Sequence, residues 1–240
     1  MDTKKLRQKI LDLAIHGKLV LQDPNDEPAS VLLERIKAEK ELLIKEGKIK
    51  PSKKTSKTSD TPHYENILPN GWCWSILGDI FQHNNGKQKT SLTQKGKLHR
   101  YITTSNVYWD KFDFSEVKEM RFIESEIEKY TAKKGDLLVC EGGDIGRAAI
   151  WNYDSPICIQ NHLHRLRAYI PVCTKYFLFS LMNSKAKGGI KGKGIGLMSL
   201  SANDLHNIII CIATISRTIS YCRRDRALVY FNKPNRTRQI

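Results

Sequence analysis

Few residues in this chain stand in a pattern that could make or break a covalent bond. Gly142-Gly143-x-x-Gly146 follows a strand-like run. It lacks the G-x-G-x-x-G spacing and the downstream acidic residue that hold a dinucleotide. No Walker sequence occurs, and no Asn/Asp-Pro-Pro run opens an adenine-methyltransferase tetrad. His162 and His164 lie two apart on a predicted strand, so they share a face, but a zinc site needs further ligands. Glu141 and Asp144 could begin a metal-dependent nuclease cluster, and no lysine-containing carboxylate motif completes it. Six cysteines (Cys73, Cys140, Cys158, Cys173, Cys211 and Cys222) include no Cys-x-x-Cys pair. They read as scattered reduced thiols of an intracellular protein. The expectation is a chain that is not an enzyme and holds no metal or cofactor.

A different chemistry fits better, the reading of base edges. Four predicted loops are rich in groups that suit it: Gly86-Lys87-Gln88-Lys89-Thr90, Thr103-Thr104-Ser105-Asn106, Glu141 through Arg147, and Gln160-Asn161-His162-Leu163-His164-Arg165. Arg and Lys bond guanine, Asn and Gln bond adenine, and carboxylates accept from cytosine. The glycines permit close backbone approach. Lys185, Lys187, Lys191 and Lys193, interleaved with glycines, form a basic loop suited to phosphates. The candidate DNA-binding residues are Lys87, Gln88, Lys89, Thr104, Asn106, Glu141, Asp144, Arg147, Asn161, His162, Lys191 and Lys193. Charge agrees with this choice. The formal net charge is +15, of which the segment from His206 onward carries +6, leaving +9 for the rest. A surplus of that sign marks a polyanion binder.

Elements must hold these loops in place. Leu6, Ile10, Leu13 and Ala14 recur at helical spacing, and Gly17 is placed to end that helix. After a turn around Asp23-Pro24-Asn25-Asp26, Pro28 opens a second helix with Leu32, Ile36 and Leu43 along one face, ended by Gly47. The pair reads as a helical hairpin over residues 1–47. Its apolar residues Leu6, Ile10, Leu13, Leu32, Ile36 and Leu43 are the candidate partner-binding face. Residues 48–66 are a Lys/Ser/Thr linker that cannot bury apolar surface. Beyond it, short strands are expected at 100–103, 136–140, 148–151 and 163–167, with helices at 124–130 and 175–183. The fold class is α+β: hairpin, flexible linker, a mixed α/β domain with short twisted strands over 67–210, then an irregular tail over 211–240. No internal repeat is visible. No stretch approaches the roughly 18 apolar residues that span a bilayer. The opening residues do not form a signal peptide, so a cytoplasmic location is expected.

Taken together, the motifs resemble the specificity subunits of type I restriction-modification systems. The resemblance begins at Lys5-Leu6-Arg7-Gln8-Lys9-Ile10-Leu11-Asp12-Leu13-Ala14-Ile15-His16-Gly17-Lys18-Leu19-Val20. It continues in Leu68-Pro69-x-Gly71-Trp72-x-Trp74-x-x-Leu77-Gly78-Asp79-Ile80, in Lys134-Gly135-Asp136-Leu137-Leu138-Val139-x-x-Gly142-Gly143-x-Ile145-Gly146-Arg147, in residues 160–167, and in Leu200-Ser201-x-x-Asp204-Leu205. It covers residues 4 to about 210. The resemblance implies a target-recognition domain that reads half of a split site in double-stranded DNA. The helices would dock a methyltransferase (modification) subunit, and a motor/endonuclease subunit would complete the complex. S-adenosylmethionine, ATP and Mg are then expected on those partners alone. The chain supplies the address and not the chemistry, and no membrane is a partner. The rivals are a fragment that folds without assembling, an enzyme in its own right, and a non-specific nucleic-acid binder driven by charge. A homodimer would restore a second half.

Two departures from the family pattern stand out. No second recognition domain is present, and after Cys211 the family's proline-rich segment and long helix are missing. Read one nucleotide later, the codons of residues 212–240 can spell LPPLAEQFRIVAEIERWFTLINQIEQDK, which has both features. The expectation is that residues after about Ile210 are out-of-frame, poorly ordered, and removable without loss of stability.

Overall fold

The computed structural model describes residues 3–19, 23, 25–50, 68–89, 95–194 and 198–214. The linker from 51 onward and the tail beyond 214 lie outside the described residues, so the expectations placed there are not addressed by it.

Two helices open the chain, α1 (Thr3–Ile15) and α2 (Ala29–Lys45). Both end as predicted, on a glycine in the left-handed region: Gly17 at φ 69° and Gly47 at φ 71°. In each case two backbone bonds recapture the last carbonyls, Gly17 to Ala14 and Lys18 to Leu13, then Gly47 to Ile44 and Lys48 to Leu43. The domain that follows runs β1 (Cys73–Ile76), α3 (Leu77–Ile80), β2 (Phe81–Asn85), β3 (Lys97–Ile102), β4 (Val107–Tyr108), β5 (Lys111–Phe112), β6 (Lys118–Phe122), α4 (Glu124–Tyr130) and β7 (Thr131–Ala132). It continues with β8 (Leu137–Cys140), β9 (Ala148–Ile150), β10 (Ile157–Ile159), β11 (Leu163–Ala168), α5 (Thr174–Ala186), α6 (Ala202–His206) and β12 (Ile209–Ile212).

A four-stranded antiparallel sheet, β2-β11-β8-β9, forms the centre. A second sheet, β6-β3-β10-β7, packs on one of its faces. Strand β8 shows why. Its four residues Leu137-Leu138-Val139-Cys140 are all fully buried. Leu137 and Val139 join the core shared with the helices, while Leu138 and Cys140 join the core between the sheets. Alternation by two along a strand with both faces covered requires apolar residues throughout.

The two N-terminal helices do not make a free-standing hairpin. α1 packs chiefly on α5, and α2 chiefly on α3. Ile15, Ala29, Leu32 and Ile36 belong to the same core as Leu77, Phe81 and Phe177. Polar bonds reinforce the docking. Gln8 donates to Asn183 at 2.8 Å, Asp12 pairs with Lys187, and Lys40 donates to the Gly78 carbonyl at 3.2 Å.

The domain also extends past the expected boundary at 210. β12 pairs with β1 in the register Cys73↔Ile212 to Ile76↔Ile209. Cys211, Ile212, Ala213 and Thr214 are buried. Tyr176 donates its hydroxyl to the Cys211 carbonyl at 2.6 Å, and the Cys211 thiol faces the Ile15 carbonyl at 3.0 Å. Residues 211–214 are thus part of the fold, and the expectation that everything after Ile210 can be spared is overturned. Cys73, Cys140, Cys158 and Cys211 are free thiols, as expected. Cys173, at the start of α5, is disulfide-bonded, contrary to an all-thiol chain.

Candidate nucleic-acid interface

Strand registers bring the predicted loops together. Asn85 ends β2 opposite His164, Leu163 begins β11 opposite Cys140, and Val139 pairs with Ala148 at the start of β9. The loops at 86–89, 141–147 and 160–162 therefore leave the central sheet at one end. β3 and β10 run parallel, with Ile102 beside Ile159, so the 103–106 turn emerges at that end too. The basic stretch around Lys191 and Lys193 joins them: the Leu200 N–H donates to the Glu141 carbonyl at 2.8 Å, and the Lys193 N–H to the Ser199 carbonyl at 2.9 Å. Five loops from scattered parts of the chain thus share one surface.

Backbone bonds stitch the loops to each other. Glu141 N–H donates to the His162 carbonyl (2.9 Å), Asn161 N–H to Lys87 (3.0 Å), and Lys87 N–H to Ile159 (2.9 Å). Gly86 makes the last crossing possible, because a Cβ there would lie 2.3 Å from the Gln160 carbonyl oxygen. Gly146, at φ 78°, lets the 141–147 loop fold back against Ile190. Gly143, also at positive φ, has open space where its Cβ would be.

A buried histidine relay braces the surface from below. His164 is fully buried. Its Nε2 lies 2.8 Å from the Leu200 carbonyl oxygen, which can only accept, so Nε2 carries the proton. Nδ1 then accepts from His83 Nε2 at 2.9 Å. The His206 ring stands edge-on to His83, with centroids 4.9 Å apart. Burial, and then the neighbouring His164, His206 and Arg165, push the His83 pKa down to about 3. Burial also lowers His164 and His206. The relay is neutral, and with the Glu141 bond it holds both backbone groups of Leu200.

The structure divides the candidate residues. Gln88, Lys89, Asp144, His162, Lys191 and Lys193 are exposed on the shared surface. Asp144 lies 3.2 Å from Lys185, and Lys193 lies 2.9 Å from Asp204. Asn161 and Glu141 are half-buried: Asn161 accepts from Gln160 (2.6 Å) and Glu141 from Ser199 (3.0 Å). Arg147 is half-buried, donates to the Thr104 carbonyl at 2.9 Å, and stacks over Tyr108. Thr104 thereby serves the loop junction through its backbone.

Two candidates turn inward. Lys87 is 9% exposed. Its ammonium bonds the Arg121 carbonyl (2.9 Å) and the Glu126 carboxylate over the Phe122 ring. Asn106 is 4% exposed. It accepts from Thr103 N–H (2.9 Å) and donates to the Asp113 (2.9 Å) and Glu116 (2.8 Å) carbonyls. Both are structural clasps and are withdrawn as base readers. Of the helix residues nominated for partners, Leu32 and Ile36 are spent in the chain's own core. Leu6 stays exposed, while Ile10, Leu13 and Leu43 are half-buried. Arg165, within the fourth predicted loop, is buried and donates to Thr131 at 2.6 Å.

Among the described residues, no group of three or more His, Cys, Asp or Glu could hold a metal ion. No described helix is long and apolar enough to cross a membrane.

Residues 69–215 match the family described as the type I restriction modification DNA specificity domain. The specificity subunit of the type I restriction enzyme EcoAI from Escherichia coli is 40% identical over 136 residues, 56% of this chain and 23% of that protein. The EcoEI specificity subunit from Escherichia coli is 58% identical over 78 residues, 32% of this chain and 13% of that protein. The crystal structure of an HsdS subunit from Thermoanaerobacter tengcongensis aligns at a TM-score of 0.48 and 15% identity, over 95% of this chain and 50% of that one. This chain thus matches only a fraction of the length of those relatives.

Proposed function

Because this chain belongs to the type I restriction modification DNA specificity family, we propose that it reads a short sequence in double-stranded DNA and directs catalytic partners to it. The observation that carries this reading is the convergence of five loops on one end of the central sheet. Gln88 and Asn161 suit adenine, while Asp144 and Glu141 can accept from cytosine. Lys89, Lys191 and Lys193 fit phosphates, which fix register without reading sequence. His162 stands among them as a further donor or acceptor. The specificity domain is the non-catalytic part of such a system. The reacting groups, S-adenosylmethionine for methyl transfer and ATP with Mg for translocation and cleavage, belong to methyltransferase and motor/endonuclease subunits. Leu6 and Leu42, exposed on α1 and α2, offer the apolar surface on which a methyltransferase subunit or a second copy would sit. The complex works in the cytoplasm, where the DNA is.

The test mixes the full chain with the methyltransferase subunit of the same organism at about physiological salt and selects duplexes from a randomised pool. Enrichment of a short motif is expected. A palindromic motif means paired copies, and a single unsymmetrical motif means one half-site. Binding without any motif, falling steeply with salt, overturns the reading in favour of a general polyanion binder. Metal-dependent cleavage by the isolated chain would make it an enzyme instead.

A further inference from the structure

Beside the five-loop surface stands a feature that sequence motifs did not single out, the β4–β5 hairpin. Tyr108 is 39% exposed, and Lys111 is exposed. The Lys111 ammonium lies 5.7 Å from the Tyr108 ring centroid, and the Arg147 guanidinium lies 5.0 Å from it. An aromatic ring in contact with two cations is oriented by both. Arg147 closes the 141–147 loop, so the hairpin and that loop share this ring.

The hairpin is firmly mounted. Its turn residue Asp110 sits at φ 60° and donates its N–H to the Ala148 carbonyl at 3.1 Å, where β9 begins. The Asp110 carboxylate takes both contacts from Lys175, at 2.8 and 3.0 Å. Val107 is fully buried between the sheets. The Asn106 clasp fixes the chain after β5, and Asp113 N–H donates to the Asn106 carbonyl at 2.9 Å. The hairpin's carboxylates are thus engaged: Asp110 by Lys175, and Asp113 by the Ser115 N–H at 2.9 Å. Lys111 forms no ion pair among the described residues. An ammonium that lies over the Tyr108 ring and acts on the Asp113 carboxylate, with that phenol on a rigid mount, costs little entropy to bring against a ligand. Neither is the forked donor that reads a base pair, and both suit the single oxygens of a phosphate.

We propose that the β4–β5 hairpin, through Lys111 and Tyr108, grips the sugar–phosphate backbone of duplex DNA beside the loop surface. This rests on the reading of that surface as a DNA-recognition face. The test measures binding of the full chain to a random-sequence duplex of about 30 base pairs, between about 50 and 250 mM salt. Lys111→Ala is expected to lower the salt slope by about one and to weaken binding several-fold, leaving any motif enriched from a randomised pool unchanged. Tyr108→Ala weakens binding in the same sense. Lys134→Ala, at the opposite end of the sheet, leaves the slope unchanged. An unaltered slope in Lys111→Ala overturns the proposal. So does a changed motif, which would mean that the hairpin reads bases. If the unmodified chain enriches no motif while Lys111→Ala still lowers the slope, the recognition reading fails and the backbone grip stands.

Discussion

Where β8 begins, Arg167 meets Asp136 through two bonds of 2.8 and 2.7 Å, Lys133 meets Glu128 at 2.6 Å, and Lys134 meets Asp154 at 2.7 Å. Where β8 finishes, Gln88, Lys89, His162 and Lys191 stand exposed, and the backbone bonds between loops do the bracing. Charge at the first end is consumed within the molecule. At the second, Asp144 meets Lys185 and Lys193 meets Asp204, while Lys89 and Lys191 form no ion pair among the described residues. Buried or half-buried ions need partners to offset their desolvation, so a pairing such as Arg167 with Asp136 reports structure. Side chains that a scaffold holds out without partners are the ones available to a ligand.

The comparison can be broken most forcefully at the fold both ends share. A chain ending at Ile210 loses half of β12 along with Cys211, Ile212 and Ala213. Burial of one such aliphatic side chain alone contributes about 2 kcal/mol. Melting is expected to drop by more than ten degrees. Equal melting of the 210 truncation would place β12 outside the cooperative unit. At the paired end, Asp136→Asn leaves Arg167 without its carboxylate and should destabilise by about 3 kcal/mol, with base preference untouched in chemical denaturation and binding measurements.

Histidine relay residues sharpen the contrast through pH. His83 and His164 bind protons less readily in the folded protein than in the unfolded chain. Their contribution is therefore complete above about pH 6.5 and is lost as pH falls below it, for His83 down to about 3. Thermal melts across that window should show a decline that His83→Phe reduces. At the loop end, Gln88→Ala and His162→Ala should each change stability by less than about 0.5 kcal/mol. Base discrimination at one position should fall by about 1–3 kcal/mol, read from competition binding.

Much of this was legible in the sequence, for reasons tied to distance along the chain. Helix α4 runs over 124–130 as expected, and both opening helices stop at their glycines, because these are local events. The loops were found through their polar and glycine content. Which of their side chains turn inward was not, because Lys87 meets Glu126 from a distant part of the chain and Asn106 meets Glu116 across the β4–β5 hairpin. Thr103-x-x-Asn106, a capping-box spacing, was the one local hint that Asn106 serves the backbone. β12 was missed although Ile208-Ile209-Ile210-Cys211-Ile212 is a β-branched run that marks a strand locally, because the out-of-frame reading drew the boundary through it and its partner lies at the other end of the domain.

That last pairing has a consequence for how such domains are used. β1 and β12 are each other's partners, so the chain enters and leaves the domain at neighbouring points. The chain on either side meets a closed cassette whose two ends are already together, and joining it to a different cassette carries little extra loop-closure cost. A protein built this way can exchange what it recognises while the elements that set its reach stay as they are.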